Sequence, residues 1–346
     1  MRRYPFSLRK AVLVLLLMLL LAHIGTSVSG QGLHFSQYYN SPMLISPANT
    51  GLMSDKDYRI TANYRSQWGA VPVPFNSYAV AGDLEIQTNK SNTNWIGIGF
   101  SAYSDNSGDG NLKMTNFQGF LAYHILIGEH QMISMGASLA GVQRSIDFSK
   151  LTFDAQWDGS DYNTNLSNNE KGLKGKTSYS DLSAGINYAI FPSDQLYFRA
   201  GFAMAHINEP RETFQNAVNF IAIRSTGTAE LIYKTGSLIT LNPSVYYSTE
   251  RSAYELMYGT LIFVDPGREA LYNRVILGVF HRLNDAIVFS AGYEWNGLRI
   301  MASYDRTISG LGQYINHNGA MEVGLKFSGL YKGHKENLRS FQCPRF

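Results

Sequence analysis

Between residues 154 and 170 the chain gathers Asp158, Asp161, Asn163, Asn165 and Asn169 beside Trp157. Carboxylate and amide oxygens at this density are what a hard cation takes as ligands. The run lacks the ligand order and the central glycine of a calcium loop, so a solvated surface loop is the expectation, with no metal. A loop of such length in a compact fold is a natural contact surface, and Trp157, Asp158 and Asp161 are its candidate partner-binding residues. His124, His206, His281 and His317 fall on separate segments, and no pair of histidines stands at metal-ligand spacing. There is no Gly-x-Ser-x-Gly elbow and no phosphate-cradling Gly-x-x-x-x-Gly-Lys. The four histidines are therefore expected to be hydrogen-bonded wall or rim residues, and neither a catalytic residue nor a cofactor is assigned.

A further set of charges, Arg59, Arg65, Glu85, Arg199, Glu294, Arg299 and Asp305, sits inside otherwise apolar stretches. What positions them is a period of two. Tyr58, Ile60, Ala62 and Tyr64 alternate with Arg59, Thr61, Asn63 and Arg65, so one face suits lipid and the other water or a polar lumen. Ile96, Ile98, Phe100 and Ala102 stand against Gly97, Gly99 and Ser101, and Leu182, Ala184, Ile186 and Tyr188 against Ser183, Gly185 and Asn187. Two late segments, 287–294 and 298–305, continue the pattern around Asn296-Gly297, the dipeptide best suited to a two-residue type I′ hairpin.

Such segments number about fourteen, beginning near Asp57, Phe75, Asn94, Leu112, Gln131, Ser178, Gln195, Phe220, Leu238, Ala253, Tyr272, Ala286, Leu298 and Asn318. An even number of antiparallel strands closing on themselves is an all-β, up-and-down transmembrane barrel, with both ends in the periplasm. Short inner turns at 128–130, 191–194, 235–236 and 296–297 and longer outer loops at 147–176, 208–219 and 309–317 obey that rule; 265–270 is long for an inner turn and 250–252 short for an outer one. Tyr58, Tyr64, Tyr103, Tyr123, Tyr188, Tyr197, Tyr247, Tyr293 and Trp295 fall near strand ends, where aromatic girdles belong. A soluble β-sandwich would bury these rings equally well, but it would need core-facing runs in place of a dozen dyad strands. The inward charges either select solutes or pair with one another to fill the interior; pairing is the expectation.

Composition agrees. Charged residues make up 16% of the chain, against about a quarter in soluble domains, as fits a wall in which every second residue meets lipid. Residues 1–30 run from Arg2, Arg3, Arg9 and Lys10 through an apolar stretch, 11–22, to small and polar residues, the order of a secretory signal peptide cut before Gln31. The stretch is short for a membrane-spanning helix. Without it, 25 basic residues face 26 acidic ones, which leaves no basic excess for nucleic acid. Cys343, the single cysteine, cannot form an intrachain disulfide. The expected organisation is 1–30 signal peptide, 31–56 plug or strap, 57–327 barrel, and 328–346 a basic periplasmic tail.

The opening "GLHFSQYYNSPMLISPANTG", residues 32–51, resembles the first motif of the PorP/SprF family of Bacteroidetes outer-membrane proteins, in which a Phe-Ser-Gln-Tyr group precedes an Asn-Pro-Ala-like group and a glycine. Ser46 stands where that family commonly has asparagine. "YRSQW" at 64–68, "PFNSYAVAGD" at 74–83, "HINEP" at 206–210, "LNPSVYY" at 241–247, "ASYDRTIS" at 302–309 and the terminal "CPRF" extend the resemblance over the chain. It implies a place in the type IX secretion system, in some members tied to gliding motility through adhesin export or attachment. It also implies partners: outer-membrane lipid, periplasmic secretion proteins, and a secreted adhesin or its C-terminal sorting domain. On that basis Phe35, Ser36, Gln37, Tyr38, Pro47 and Gly51, with Cys343, Pro344, Arg345 and Phe346, join the outer-loop residues as candidate partner-binding positions. A solute channel or hydrophobic-ligand transporter is the alternative, and a purely structural barrel a third.

Overall fold

The computed structural model describes residues 35–53, 56–69, 73–88, 93–108, 110–170, 174–214, 219–265 and 273–331. Residues 1–34 and 332–346, and with them the expected signal peptide and the Cys343-Pro344-Arg345-Phe346 end, lie outside the described residues.

Fourteen antiparallel strands follow one another: β1 (Tyr58–Gln67), β2 (Phe75–Gln87), β3 (Asn94–Ser107), β4 (Leu112–Ile127), β5 (Gln131–Ser145), β6 (Lys176–Ser193), β7 (Leu196–Ala205), β8 (Arg224–Lys234), β9 (Ile239–Glu250), β10 (Ala253–Val264), β11 (Asn273–Arg282), β12 (Ala286–Trp295), β13 (Leu298–Thr307) and β14 (Asn318–Gly329). Each pairs with its chain neighbour, and β1 pairs with β14 from Tyr58↔Gly329 to Gln67↔Ala320, closing the barrel. Closure leaves no strand edge with unpaired amides and carbonyls, the condition for lying in hydrocarbon.

The dyad sets which side chains look out. Ile60, Val80, Phe100, Leu121, Leu139 and Val279 keep about half of their surface exposed, whereas Thr61, Ala81, Ser101, Ala122, Ser138 and Phe280, one position along, are buried. A face whose outward half is this apolar is built for lipid. Of the predicted girdle, Tyr64, Tyr123, Tyr188, Tyr247, Tyr293 and Trp295 are exposed. Tyr58 is half-buried, and Tyr103 and Tyr197 fall on the inward parity of β3 and β7, where Asn116 Nδ2 donates to the Tyr103 hydroxyl and Tyr197 stacks on Phe191.

Asn296 and Gly297 both adopt positive φ (48° and 81°) in the two-residue turn between β12 and β13, as a type I′ hairpin requires. The doubtful outer turn at 250–252 is real, since β9 and β10 stay in register up to Ala253↔Glu250 and Arg251 takes φ 51° to reverse the chain. Three expected boundaries shift. β8 begins at Arg224 and not near Phe220, which forms an isolated bridge with Arg211 within the outer loop. β6 runs to Ser193 through a register shift, leaving a tighter inner turn than 191–194. β14 continues two residues past Phe327, because Ser328 and Gly329 still pair with Arg59 and Tyr58.

Phe35–Met53 runs inside this cylinder, bent by two 3-10 helices, Pro42–Leu44 and Pro47–Asn49, each with proline at its start, where the missing N–H costs nothing. The largest apolar cluster, Met257, Leu261, Ile276, Phe280, Val288 and Met301, is formed by inward wall residues of β10 to β13 and packs against Tyr38 and Tyr39 of this segment.

Candidate functional site: the lumenal plug and the outer loop

Ser36 is the hub of the plug. Its hydroxyl approaches Asp305 at 2.7 and 2.9 Å and accepts from Arg65 and Arg282, each at 2.6 Å. Its amide donates to Glu322 Oε2 at 2.8 Å, and the amide of Gln37 to Glu322 Oε1 at 3.1 Å. Arg65 bridges both acids, 3.0 Å from Asp305 and 3.4 Å from Glu322. Buried ions are tolerated only when paired and bonded on every side, and here the plug backbone supplies part of that shell. The wall charges and the plug therefore depend on one another.

The remaining plug contacts are distributed around the ring. Gln37 Nε2 donates to Ser303, the Tyr38 hydroxyl lies 2.7 Å from Ser244, and Asn40 Nδ2 donates to Asn63. Asn49 Oδ1 accepts from Asn187 and Arg199, the Gly51 amide donates to Asp83, and Trp95 Nε1 donates to the Gly51 carbonyl. His124 is held between Ser134 and the Thr50 carbonyl at 2.7 and 2.8 Å and stacks on Trp95. At two of the closest approaches of plug backbone to wall, the wall has glycine. A Cβ at Gly97 would sit 1.9 Å from the Thr50 oxygen, and one at Gly136 2.4 Å from the Pro47 carbonyl.

Of the residues singled out in this segment, Ser36, Gln37, Pro47 and Gly51 are buried, while Phe35 and Tyr38 keep part of their surface. In this arrangement the Ser36 amide and hydroxyl, the Gln37 amide and Nε2, the Tyr38 hydroxyl and the Gly51 amide and carbonyl are engaged with the wall. The expected pairing of lumenal charges is observed: Arg59 with Asp83, Arg65 with Asp305, Arg199 with Glu230, Arg299 with Glu294. Glu322, Arg282 and Asp83 complete these networks and were not singled out from sequence. Their signal was available, a charge at an inward position flanked by outward apolar residues, as in Met321-Glu322-Val323.

The outer loop 146–175 is a separate site. The Trp157 ring is half-exposed and meets Tyr162 edge-on at 5.1 Å. Asp158 Oδ1 accepts from the amides of Asp161 and Ser160 at 3.0 and 2.9 Å, which holds its carboxyl below the usual carboxylate range. Asp161 Oδ1 accepts from the Tyr162 amide at 2.7 Å. These acids thus cap their own loop turns, and among the described residues no three His, Cys, Asp or Glu side chains converge as metal ligands. The loop is tied to its neighbour, since Lys174 donates to the Phe214 carbonyl and Arg144 at the end of β5 pairs with Glu212. His206, His281 and His317 lie apart, facing Asp181, Tyr258 and the Thr307 carbonyl respectively.

Similar architectures exist among solved structures. The Ralstonia pickettii toluene transporter TbuX superposes with a TM-score of 0.52 at 7% identity, over 84% of this chain and 94% of that one. A deltaS2S3 mutant of the TodX monoaromatic hydrocarbon channel gives 0.50 at 8%, over 83% and 92%, and a Pseudomonas aeruginosa FadL homologue gives 0.48 at 9%, over 84% and 94%. At such identities the likeness is one of fold alone. No curated protein sequence matches the chain. The model of one family does match, over residues 27–327, a span that takes in the plug and all but the last two residues of the barrel. With a closed fourteen-strand wall, a lipid-suited outer face and this match, the chain is an outer-membrane barrel and belongs to the type IX secretion system membrane protein PorP/SprF family.

Proposed function

We propose that this barrel is a sealed anchor of the secretion machinery in the outer membrane, holding periplasmic components at one end and a secreted partner at the other. The observation that carries this reading is the occupied lumen: Phe35–Met53 is bonded to strands around the ring, with Ser36 built into a buried ion network. A barrel whose interior is spent on its own chain is suited to hold and orient. Docking then falls to the ends. The tail, expected over 328–346 and here taken as the residues after β14, with Cys343, Pro344, Arg345 and Phe346, is assigned to periplasmic partners, and Trp157, Asp158 and Asp161 to a secreted protein such as an adhesin or its sorting domain. Ser36, Gln37, Tyr38, Pro47 and Gly51 keep the seal, and partner contact from them would require release of the plug. Residues 1–30, as a cleaved signal peptide, direct export, and a Bacteroidetes origin with a link to gliding follows from the family.

The test pairs planar-bilayer conductance with affinity purification of the full-length protein from membranes. Electrical silence together with recovery of periplasmic secretion components supports the anchor. Steady, solute-selective current without such components would replace it by the channel alternative. Export unchanged after deletion of 332–346 would remove the tail from the docking role.

A further inference from the structure

Five basic side chains from five strands converge on one cavity of about 230 Å³: Arg59, Arg199, Arg274, Arg299 and Lys326, with Glu230 the single acid in its lining. All five lie within four residues of the end of the barrel that holds both strand termini, the periplasmic end. The arginines are preorganised. Arg199 is held by Glu230 at 2.9 Å and Asn49 at 3.0 Å, and Arg274 by Asp265 at 2.8 Å. Arg299 is fixed by Glu294 and lies over the Phe263 ring at 5.3 Å. Each arginine has its carboxylate, so with Lys326 five cations face four acids; but Asp83, Asp265 and Glu294 stand outside the lining, so what the cavity offers an occupant is mainly guanidinium N–H donors and a net charge of about one positive unit. A guanidinium already fixed in place loses little entropy on taking an oxyanion, and in a partly desolvated site that contact is strong. The lining also has apolar members, Leu52, Ile232, Leu261 and Phe263.

The same cavity abuts a seam. The β8–β9 ladder pairs Glu230 with Ser244 and resumes at Tyr233↔Leu241. Between them Pro243, on the lipid side, has no N–H to give, and the side chain of Asn242 bonds the Leu231 carbonyl instead, at 3.1 Å. Glu230, Ile232, Asn242 and Ser244 all line the cavity. One wall of the chamber is therefore a stretch of barrel where backbone pairing is interrupted, next to lipid.

We propose that this chamber is a binding site for a small anionic amphiphile, its phosphate or carboxylate head on Arg274 and Arg299 and its apolar body against Leu261 and Ile232. The volume is below the roughly 300–1,000 Å³ of drug-sized pockets, so the body is short. The site does not depend on the anchoring role, and its failure leaves that role intact. Full-length protein in nanodiscs of zwitterionic lipid, titrated calorimetrically with octyl phosphate, inorganic phosphate and octylamine, tests it. Octyl phosphate binds saturably, and Arg274→Gln or Arg299→Gln weakens it about tenfold or more, the loss of one charge-assisted contact. Equal binding of octylamine, or no effect of either variant, overturns the site. Inorganic phosphate binding as tightly as its octyl ester overturns the amphiphile and leaves a plain anion site. Heat-modifiable migration on gels reports folding, and if either arginine variant fails it, Lys326→Gln carries the same comparison.

Discussion

The amide of Ser36 donates to Glu322 at 2.8 Å, tying the second described residue of the chain to its last strand across 286 positions. Glu322 sits inward on β14, and its two oxygens together receive Ser36, Gln37, Asn63 and Arg65. The plug therefore finds this partner only when the strand that closes the barrel is in place.

Glu322→Ala removes the acceptor of two plug amides and leaves Asp305 as the one acid paired with Arg65 among the described residues. Breaking one side of a buried, bonded ion network costs about 3–5 kcal/mol. Urea unfolding of the folded protein in lipid vesicles should show that loss, with Glu322→Gln retaining part of it. A change below about 1 kcal/mol for the alanine variant would mean that the latch is not coupled to stability.

Gly97→Val and Gly136→Val test the fit of plug to wall. A side chain at either position meets plug backbone, with the first atom already 1.9 or 2.4 Å from it, so nothing flexible can yield. The wall strands have no such conflict, so both variants should keep heat-modifiable barrel migration while the plug becomes open to protease. Equal protease resistance of variant and parent would place the plug elsewhere.

How much of this was legible in the chain differs by element. Wall and count could be read because outward positions such as Ile60, Phe100 and Leu139 are apolar at every second step, a local pattern. Boundaries were less readable where an outer loop imitates a strand, as around Phe220. The plug contacts were not, since Ser36 meets Arg65, Arg282, Asp305 and Glu322 over separations of 29 to 286 positions, which only closure brings together. Arg65 and Asp305 could be named as inward charges that pair with something, but not with each other through a serine. Tyr103 and Tyr197 show that nearness to a strand end is a weaker guide than parity.

Leu139 lies in the middle of β5 with 58% of its surface exposed. If that surface meets hydrocarbon, Leu139→Arg costs about 2–4 kcal/mol, the range for a cation near the midplane of a barrel wall. On a water-facing sheet the same change would be near neutral. Unfolding from vesicles separates the two, and an unchanged midpoint would count against the membrane setting of the wall.

The outer loop offers a pH test with a defined sign. Amides of Asp161 and Ser160 and the Ser160 hydroxyl all donate to Asp158 Oδ1, in that order of influence on its depressed carboxyl. Because the folded carboxyl titrates below the ordinary carboxylate range, the order it confers is complete above that range and is lost only as pH falls through the lower, folded value. Trp157 reports on this, being the neighbour of Asp158 and in ring contact with Tyr162 at 5.1 Å. The fluorescence difference between the parent and Trp157→Phe should stay flat from neutral pH down to the ordinary carboxylate range and change only beneath it. Asp158→Asn, which keeps an acceptor but no charge, should shift the neutral-pH signal toward the acid one and remove the titration. A transition centred at or above the ordinary range would mean that the turn is not held through this carboxylate, and the loop would lose its fixed display of Trp157 as a contact surface.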